Sequence, residues 1–128
     1  MKEACAQLPA PGARGRLITL EGGEGTGKST QLPHIVGWLQ QYGFEAIGTR
    51  EPGGSPGAEI LRNFLLSARA ASLGPAAEAL LFAAARIDHI EATIEPALRA
   101  GKFVVCDRYA DSTRAYQGAR EQLDPRFL

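Results

Sequence analysis

One short segment of this chain leaves little freedom in how the residues around it can fold. Residues 22–29 read GGEGTGKS and match the pattern G-x-x-x-x-G-K-[ST] at every fixed position. In that pattern the glycines let backbone N–H groups curl around a polyphosphate, the lysine reaches its outer phosphates, and the following hydroxyl can bind Mg²⁺. Such a loop works between a strand and a helix, whose N-terminus adds a positive dipole. Residues 17–20 are apolar and strand-like, so the sequence predicts a strand–loop–helix unit that binds a nucleotide.

Strand-like and helix-like segments alternate along the rest of the chain. We expect strands at 17–21, 45–49 and 103–106, and helical segments beginning near Gly27, around 60–65, and from about 76 to 100. This alternation is typical of a parallel sheet with right-handed crossovers, so the predicted fold class is α/β. Residues 1–16 are expected to form a flexible tail, and 17–128 a single domain.

Composition and charge restrict the possible functions. The formal net charge is zero, which gives no general attraction to nucleic acid or to an anionic membrane. No apolar run reaches the roughly 18 residues that a membrane-spanning helix needs, and the first 16 residues do not resemble a signal peptide. Two cysteines make no disulfide framework. We interpret Cys106 as a small buried apolar residue and expect a cytoplasmic protein.

The third predicted strand ends in an acidic residue, Asp107. A carboxylate at the carboxyl end of a strand beside a phosphate-binding loop can hold Mg²⁺, directly or through water. The alternative is an aspartate that caps a helix or a turn. Arg108 follows at once, and it either pairs with a buried carboxylate or faces the crevice above the strand ends.

The helical segment from 76 to 100 carries a pattern of its own. One stripe at helical spacing, expected to face the core, consists of Leu80, Ala84, Ile87, Ile90, Ile94 and Leu98. Phe82 and Arg86 lie off this stripe and are neighbours at i, i+4. They could stack on a base and hydrogen-bond its edge, or they could contact another helix. Asp88 and His89 show no metal-like spacing and are expected to be solvated.

Arginines follow two of the predicted strands. Arg50 and Arg108 come at strand ends, and Arg86 belongs to a helix expected to reach the same crevice. Three guanidinium groups beside a phosphate-binding loop favour a second bound phosphate. Glu24 within the loop opposes an anion, so it should face a hydroxyl group or the metal.

Taken together these segments resemble the bacterial thymidylate kinases. The resemblance covers residues 17 to about 124 and rests on four motifs in the family's order. They are residues 22–30, TREPGG at 49–54, LFAAAR at 81–86, and DRY at 107–109 followed by AYQG at 115–118. It implies the sheet of a P-loop nucleoside monophosphate kinase with flanking helices, cut to about three strands.

The resemblance implies transfer of a phosphoryl group from ATP, with Mg²⁺, to thymidine monophosphate (dTMP). Lys28, Arg108 and Glu24 would be catalytic, and Ser29 and Asp107 would hold the metal. The nucleotide-binding residues would be Gly22, Gly23, Glu24, Gly25, Thr26, Gly27, Lys28, Ser29 and Thr30. The acceptor-binding residues would be Arg50, Phe82, Arg86, Arg108, Thr113, Tyr116 and Gln117.

The chain departs from the family in length. Family members continue with a lid, an adenine-contacting loop, further strands and a C-terminal helix, so we expect the domain to be incomplete at its C-terminus. Some members place an arginine where this chain has Gly25. We therefore expect the 128-residue polypeptide to be a poor kinase. The resemblance also implies a homodimer. The alternatives are another nucleoside monophosphate kinase and a catalytically silent nucleotide-binding module.

Overall fold

A parallel sheet forms the centre of the molecule. The computed structural model describes residues 12–109 of the chain. In this range the strands are β1 (Leu17–Leu20), β2 (Ala46–Arg50) and β3 (Phe103–Asp107). They lie in the order β1-β3-β2, and both pairings are parallel. Of these three strands, the last in sequence is therefore the middle one in space. The predicted α/β fold is confirmed, and the strands end within a residue of their predicted positions.

Helices connect the strands. They are α1 (Lys28–Gln41), α2 (Pro56–Leu65), α3 (Pro75–His89) and α4 (Glu95–Arg99), with a short 3₁₀ turn at Ala70–Ser72. Proline is the first residue of both α2 and α3. The N–H groups of the first turn make no hydrogen bond within a helix, so the missing N–H of proline costs nothing there, and its fixed φ suits the helix.

A wide π-helical turn, Ile90–Ile94, joins α3 to α4 and makes one continuous helical region. The extent of this region agrees with the predicted 76–100. Pro96 lies just beyond the wide turn, in the first turn of α4. A proline within a helix removes one backbone donor and its ring clashes with the carbonyl four residues earlier. A local change to i→i+5 bonding relieves this conflict without breaking the helix.

The core lies on both faces of β3, whose residues Phe103–Cys106 are fully buried. Phe103 and Val105 pack with α1, where Leu39 is buried, and Phe44 meets Phe103 edge-on at 5.3 Å. Val104 faces the other way and packs with the buried residues of the π turn and α4. The alternation of side chains along a strand therefore gives each face of the sheet its own helical layer.

The expectation for the apolar stripe of the third helical segment is wrong in its first half. Leu80 and Ile87 are 60% and 58% exposed, and Ala84 is exposed as well. Only the later residues, Ile94 and Leu98, are buried. The inward face of α3 instead carries small and polar residues, which makes room for a polar network described below.

The chain makes defined contacts before β1 begins. Arg14 forms two hydrogen bonds to the Glu95 carboxylate, the Gly15 N–H donates to the Leu98 carbonyl, and the Val104 N–H donates to the Arg16 carbonyl. These contacts fix residues 14–16, part of the segment predicted as a tail, against α4 and β3. None of the helices between residues 12 and 109 is long and apolar enough to cross a membrane.

Candidate functional site

The loop between β1 and α1 has the backbone of an anion-binding cradle. Gly25 and Gly27 adopt φ values of 75° and 89°, which residues with a side chain rarely tolerate. The Lys28 ammonium donates to the Gly23 carbonyl at 2.7 Å, so it lies across the loop. The first turn of α1 holds no acidic residue, and its N-terminal dipole is therefore not offset.

This loop opens onto a cleft of about 370 Å³. The cleft is lined by Glu24, Gly25, Gly27, Lys28, Ser29, Thr30, Asp107 and Arg108. The loop, the start of α1 and the end of β3 thus meet around one volume, which we call the loop cleft. Its position matches the crevice outside the carboxyl ends of parallel strands.

A second cleft of about 440 Å³ lies beside it, above β2. It is lined by Ser29, Leu32, Gly48, Thr49, Arg50, Gly54, Glu59, Thr93 and Asp107. We call it the β2 cleft. Ser29 and Asp107 line both clefts, so a molecule in one would lie next to a molecule in the other.

Asp107 has the properties of a metal ligand. Its Oδ1 is buried and has no hydrogen-bond partner among residues 12–109. A buried carboxylate oxygen without a partner is costly unless a cation or a donor satisfies it. Ser29 lines the same two clefts and offers a hydroxyl oxygen. Oxygen donors suit Mg²⁺, which keeps several waters and binds few protein groups beside nucleotide phosphates. In the described residues no cluster of three or more His, Cys, Asp or Glu side chains could hold a metal.

Arg50 and Arg108, two of the predicted phosphate-binding arginines, line different clefts. Arg50 is 53% exposed and pairs with Glu59, the two groups being 3.3 Å apart. The Gly54 N–H, together with Arg50, holds the pKa of Glu59 below its usual value. Arg108 adopts φ 70°, unusual for a residue other than glycine. Its N–H donates to the Leu20 carbonyl, and its carbonyl accepts from the Cys106 thiol, which together stabilise this conformation.

The predicted base-binding pair lies on α3. Arg86 donates through Nε to Glu51 at 2.7 Å, and its guanidinium lies 5.1 Å from the centre of the Tyr109 ring. Phe82 is half-buried, one turn earlier on the same helix, and is not sealed in the core. Arg86 contacts the residue after Arg50 and the residue after Arg108, so the structure brings the three arginine-bearing segments together.

A buried polar network was missed by the sequence analysis. Glu51 is 6% exposed and His89 is fully buried. The Glu51 carboxylate lies 3.1 Å from His89 Nδ1 as well as 2.7 Å from Arg86 Nε. His89 Nε2 is 2.7 Å from the Thr49 hydroxyl. The available signals were an acidic residue directly after a predicted strand and the i, i+3 spacing of Arg86 and His89.

The expectation that Asp88 and His89 are solvated is wrong. His89 belongs to the network just described. Asp88 accepts hydrogen bonds from the Ser55 hydroxyl at 2.6 Å and the Ala58 N–H at 3.1 Å. The Ser55 bond, chiefly, lowers the pKa of Asp88. Asp88 thus satisfies the N-terminus of α2 from a neighbouring helix, a role that spacing within one helix does not indicate.

The remaining predicted site residues divide into two groups. Glu24 and Thr30 are exposed and line the loop cleft. Thr113, Tyr116 and Gln117 lie outside the described residues.

Sequence comparisons agree with this arrangement. The thymidylate kinase family model matches residues 20–128. A thymidylate kinase of Bradyrhizobium diazoefficiens is 59% identical over 115 residues, which make up 90% of this chain and 50% of that protein. One of Afipia carboxidovorans is 58% identical over the same shares. The chain spans about half the length of the curated relatives that it matches.

Solved structures agree as well. The thymidylate kinase of Ehrlichia chaffeensis superposes with a TM-score of 0.79 at 40% identity, covering 91% of this chain and 61% of that one. That of Candida albicans gives 0.70 at 30% identity, covering 89% and 48%. With a phosphate-binding loop, an acidic strand end and a family match over most of its length, the chain belongs to the thymidylate kinase family.

Proposed function

We propose that the protein transfers the terminal phosphoryl group of ATP to dTMP and produces the diphosphate. The observation that carries this proposal is the sharing of Ser29 and Asp107 by the loop cleft and the β2 cleft. Two anions bound in these clefts would meet at the shared residues, end to end. The similarity to thymidylate kinases supplies the substrate class.

In the loop cleft, ATP phosphates would accept from the loop N–H groups and from Lys28. Residues 22–30 would form this nucleotide site, with Thr30 at its edge. Ser29 and Asp107, whose Oδ1 has no partner in the residues that the structure describes, would hold Mg²⁺. When bound, Mg²⁺ neutralises charge that develops on the transferred group.

In the β2 cleft, the acceptor phosphate would pair with Arg50, and Arg108 would reach it from the neighbouring loop cleft. Arg50 is half-exposed, and its contact to Glu59 is long. A phosphate could therefore replace the Glu59 carboxylate as its partner at little cost in free energy. Phe82 would stack on the thymine and Arg86 would bond its edge. Glu24 would face the sugar hydroxyl or the metal shell. The family resemblance adds Thr113 and Gln117 as base contacts and Tyr116 as a wall for the sugar.

The reaction needs no general base, because the attacking group is already an anionic phosphate. Catalysis then consists of alignment and of charge neutralisation at the transferred group. Lys28 and Arg108 line the same cleft and would supply positive charge there.

Two substitutions test the assignment of the clefts. We expect Lys28→Ala to weaken ATP binding by about 10- to 100-fold, since a charge-assisted hydrogen bond contributes about 1.5–3 kcal/mol. Arg50→Ala should instead weaken dTMP binding and leave ATP binding unchanged. Isothermal titration calorimetry measures both affinities. Lys102→Ala is the matched control, because Lys102 precedes β3 at the opposite end of the strand.

The substrate is tested by competition among nucleoside monophosphates. We expect dTMP to bind more tightly than dCMP or dGMP, and dTMP to stimulate ADP release in a coupled assay. Equal binding of all monophosphates would favour a different nucleoside monophosphate kinase. Binding of ATP without any monophosphate would favour a silent nucleotide-binding module.

We also propose a homodimer formed through α2 and α3. These helices pack against each other, and both expose large apolar side chains. Ile60, Leu66, Leu80 and Ile87 are 58–70% exposed. Large exposed apolar side chains on two helices that pack together favour an interface. The apolar stripe of α3 would then be buried between two copies rather than within one.

The dimer is tested by sedimentation velocity. Ile87→Arg should shift the protein to a monomer, whereas Trp38→Arg, on α1, should not. A monomeric wild-type protein would contradict the proposal. A cytoplasmic location remains part of the proposal, supported by the buried free thiol of Cys106.

A further inference from the structure

We propose that Glu51, held in place by His89 and Thr49, is a positioning residue that fixes the direction of the Arg86 guanidinium toward the acceptor base. This inference rests on the proposed function, in which Arg86 bonds the edge of the thymine. It assigns a function in base selection to three residues at the end of β2 and on α3 that touch no substrate in the proposal.

The Arg86–Glu51 contact is short and shielded from water. Nε of Arg86 and Oε2 of Glu51 are 2.7 Å apart, with side-chain exposures of 16% and 5%. A charge-assisted hydrogen bond in such surroundings is strong and directional. The Tyr109 ring lies against the face of the same guanidinium. One bond at Nε and one contact on the face together define the plane of the group.

The direction of each hydrogen bond in the network follows from its partners. A carboxylate only accepts, so His89 must donate from Nδ1 to Glu51. In a neutral imidazole, Nε2 then accepts, and the Thr49 hydroxyl is its donor. The chain of bonds therefore runs from Thr49 through His89 to Glu51, which also receives Arg86.

The network is also held in place by the backbone. The Glu51 N–H donates to the Asp107 carbonyl at 2.9 Å. Gly54 passes so close that a Cβ there would lie 2.4 Å from His89 Nε2 and 2.3 Å from the Thr49 hydroxyl. The loop after β2 thus covers the Thr49–His89 bond. Glu51 cannot shift without moving this loop or the end of β3.

The test compares ligands with and without a base. In Glu51→Gln, we expect the preference for dTMP over dCMP, measured by calorimetry, to fall at least about tenfold, since a charge-assisted bond is replaced by a neutral one. Binding of deoxyribose 5-phosphate, which has no base, should stay within about twofold of wild type because the phosphate contacts are untouched. A purely structural role would weaken both ligands alike and would overturn the proposal.

Two histidine variants give an independent test if Glu51→Gln fails to fold. The amide nitrogen of Asn can take the place of Nδ1, whereas that of Gln reaches the position of Nε2. His89→Asn should therefore keep most of the preference for dTMP, and His89→Gln should lose it. Equal selectivity in both variants would overturn the proposal.

A double variant shows whether Glu51 acts through Arg86. In an Arg86→Met background, Glu51→Gln should cause no further loss of selectivity, because the group that it orients is gone. Additive losses would contradict the proposal. A wild-type protein without any preference for dTMP would refute the proposed function itself, whereas a selective wild type with a fully selective Glu51→Gln variant would refute only the positioning role.

Discussion

Asp107 lines both the loop cleft and the β2 cleft, as Ser29 does, and its buried Oδ1 receives no hydrogen bond from the described part of the chain. We expect Asp107→Asn to abolish the strengthening of ATP binding by Mg²⁺. Because the variant replaces a carboxylate whose buried Oδ1 has no partner among the described residues, its melting temperature should equal or exceed that of the wild type. Calorimetric titration with and without Mg²⁺, and thermal denaturation, measure the two effects.

Asp88→Asn is the matched control for this change. Asp88 accepts two hydrogen bonds that hold the start of α2. Its replacement should lower the melting temperature and leave the Mg²⁺ effect intact. An Asp107→Asn protein that keeps the wild-type response to Mg²⁺ would show that Asp107 is not the metal ligand.

At the scale of single residues, the sequence predicts what lies in one contiguous motif. The phosphate-binding loop and Asp107 follow from local patterns, and both line the predicted crevice. His89 does not, because its partners Glu51 and Thr49 are 38 and 40 residues away. A pattern within one helix contains no information about which distant polar group meets it. The buried network could therefore be found only in the folded chain.

At the scale of the secondary-structure elements, α4 binds the segment that precedes β1. Glu95 accepts hydrogen bonds from Arg14 and Arg99, and chiefly the Arg14 bond lowers its pKa from 4.5 to about 2. The folded protein then binds a proton at this site less readily than the unfolded chain. The stabilisation is complete above about pH 4.5 and is lost as the pH falls toward 2.

We therefore expect Glu95→Gln to melt at a lower temperature than the wild type at pH 7, and to lose less stability between pH 7 and pH 3. Thermal denaturation at a series of pH values measures this. Arg14 and Arg99 are exposed, so added salt should shrink the difference. Glu91→Gln, an exposed carboxylate in the preceding turn, serves as control. A parallel pH dependence for Glu95→Gln and wild type would contradict the assignment.

The positions of the elements were well predicted, but their orientation was not. Proline, glycine and hydrophobic spacing mark where elements begin and end, which is why the strand bounds agree closely, although α2 begins at Pro56, ahead of the predicted 60–65. The α3 stripe is the clearest case. Periodicity identifies an apolar face, but Leu80 and Ile87 show that such a face need not point at the sheet. The orientation of a helix depends on what its opposite face contacts. In α3 the opposite face carries the polar network, so that face is turned inward.

At the scale of the whole molecule, β1 is an edge strand of the sheet that residues 12–109 form. Among residues 12–109, β1 pairs only with β3. The N–H groups of Val104 and Arg108 donate to the carbonyls of Arg16 and Leu20. In a parallel ladder the even-numbered residues of β1 therefore face β3, and Leu17 and Thr19 direct their backbone groups away from β3. An apolar edge of this kind can pair with another chain.

Proline substitutions distinguish the two sides of β1. Thr19→Pro removes an outward donor, so we expect less concentration-dependent aggregation with little change in melting temperature. Ile18→Pro removes a donor that faces β3 and should unfold the protein. Light scattering during heating measures aggregation, and circular dichroism measures folding. Unchanged aggregation of Thr19→Pro would show that association uses another surface.

The order of the strands shows what the whole sequence could and could not provide. Alternating strands and helices predict a parallel sheet, because consecutive parallel strands need crossover connections. The alternation does not determine that β3 lies between β1 and β2, nor that two clefts share the residues at its end. The middle position suits a strand whose two faces are both buried. The residues Phe103–Cys106 form an uninterrupted apolar run and are buried on both faces, which fits β3 to that position.

The hydrogen bond from the Glu51 N–H to the Asp107 carbonyl joins the end of β2 to the end of β3. The two hydrogen-bonded strand ends therefore carry Asp107, the proposed metal ligand, on β3 and Glu51, the proposed support of the Arg86 guanidinium, directly after β2. A ligand that displaced one of these strand ends would have to move the other end as well or break this hydrogen bond. If binding in the loop cleft alters the affinity of the β2 cleft through this bond, thermodynamic linkage requires that binding in the β2 cleft alters the affinity of the loop cleft by an equal factor.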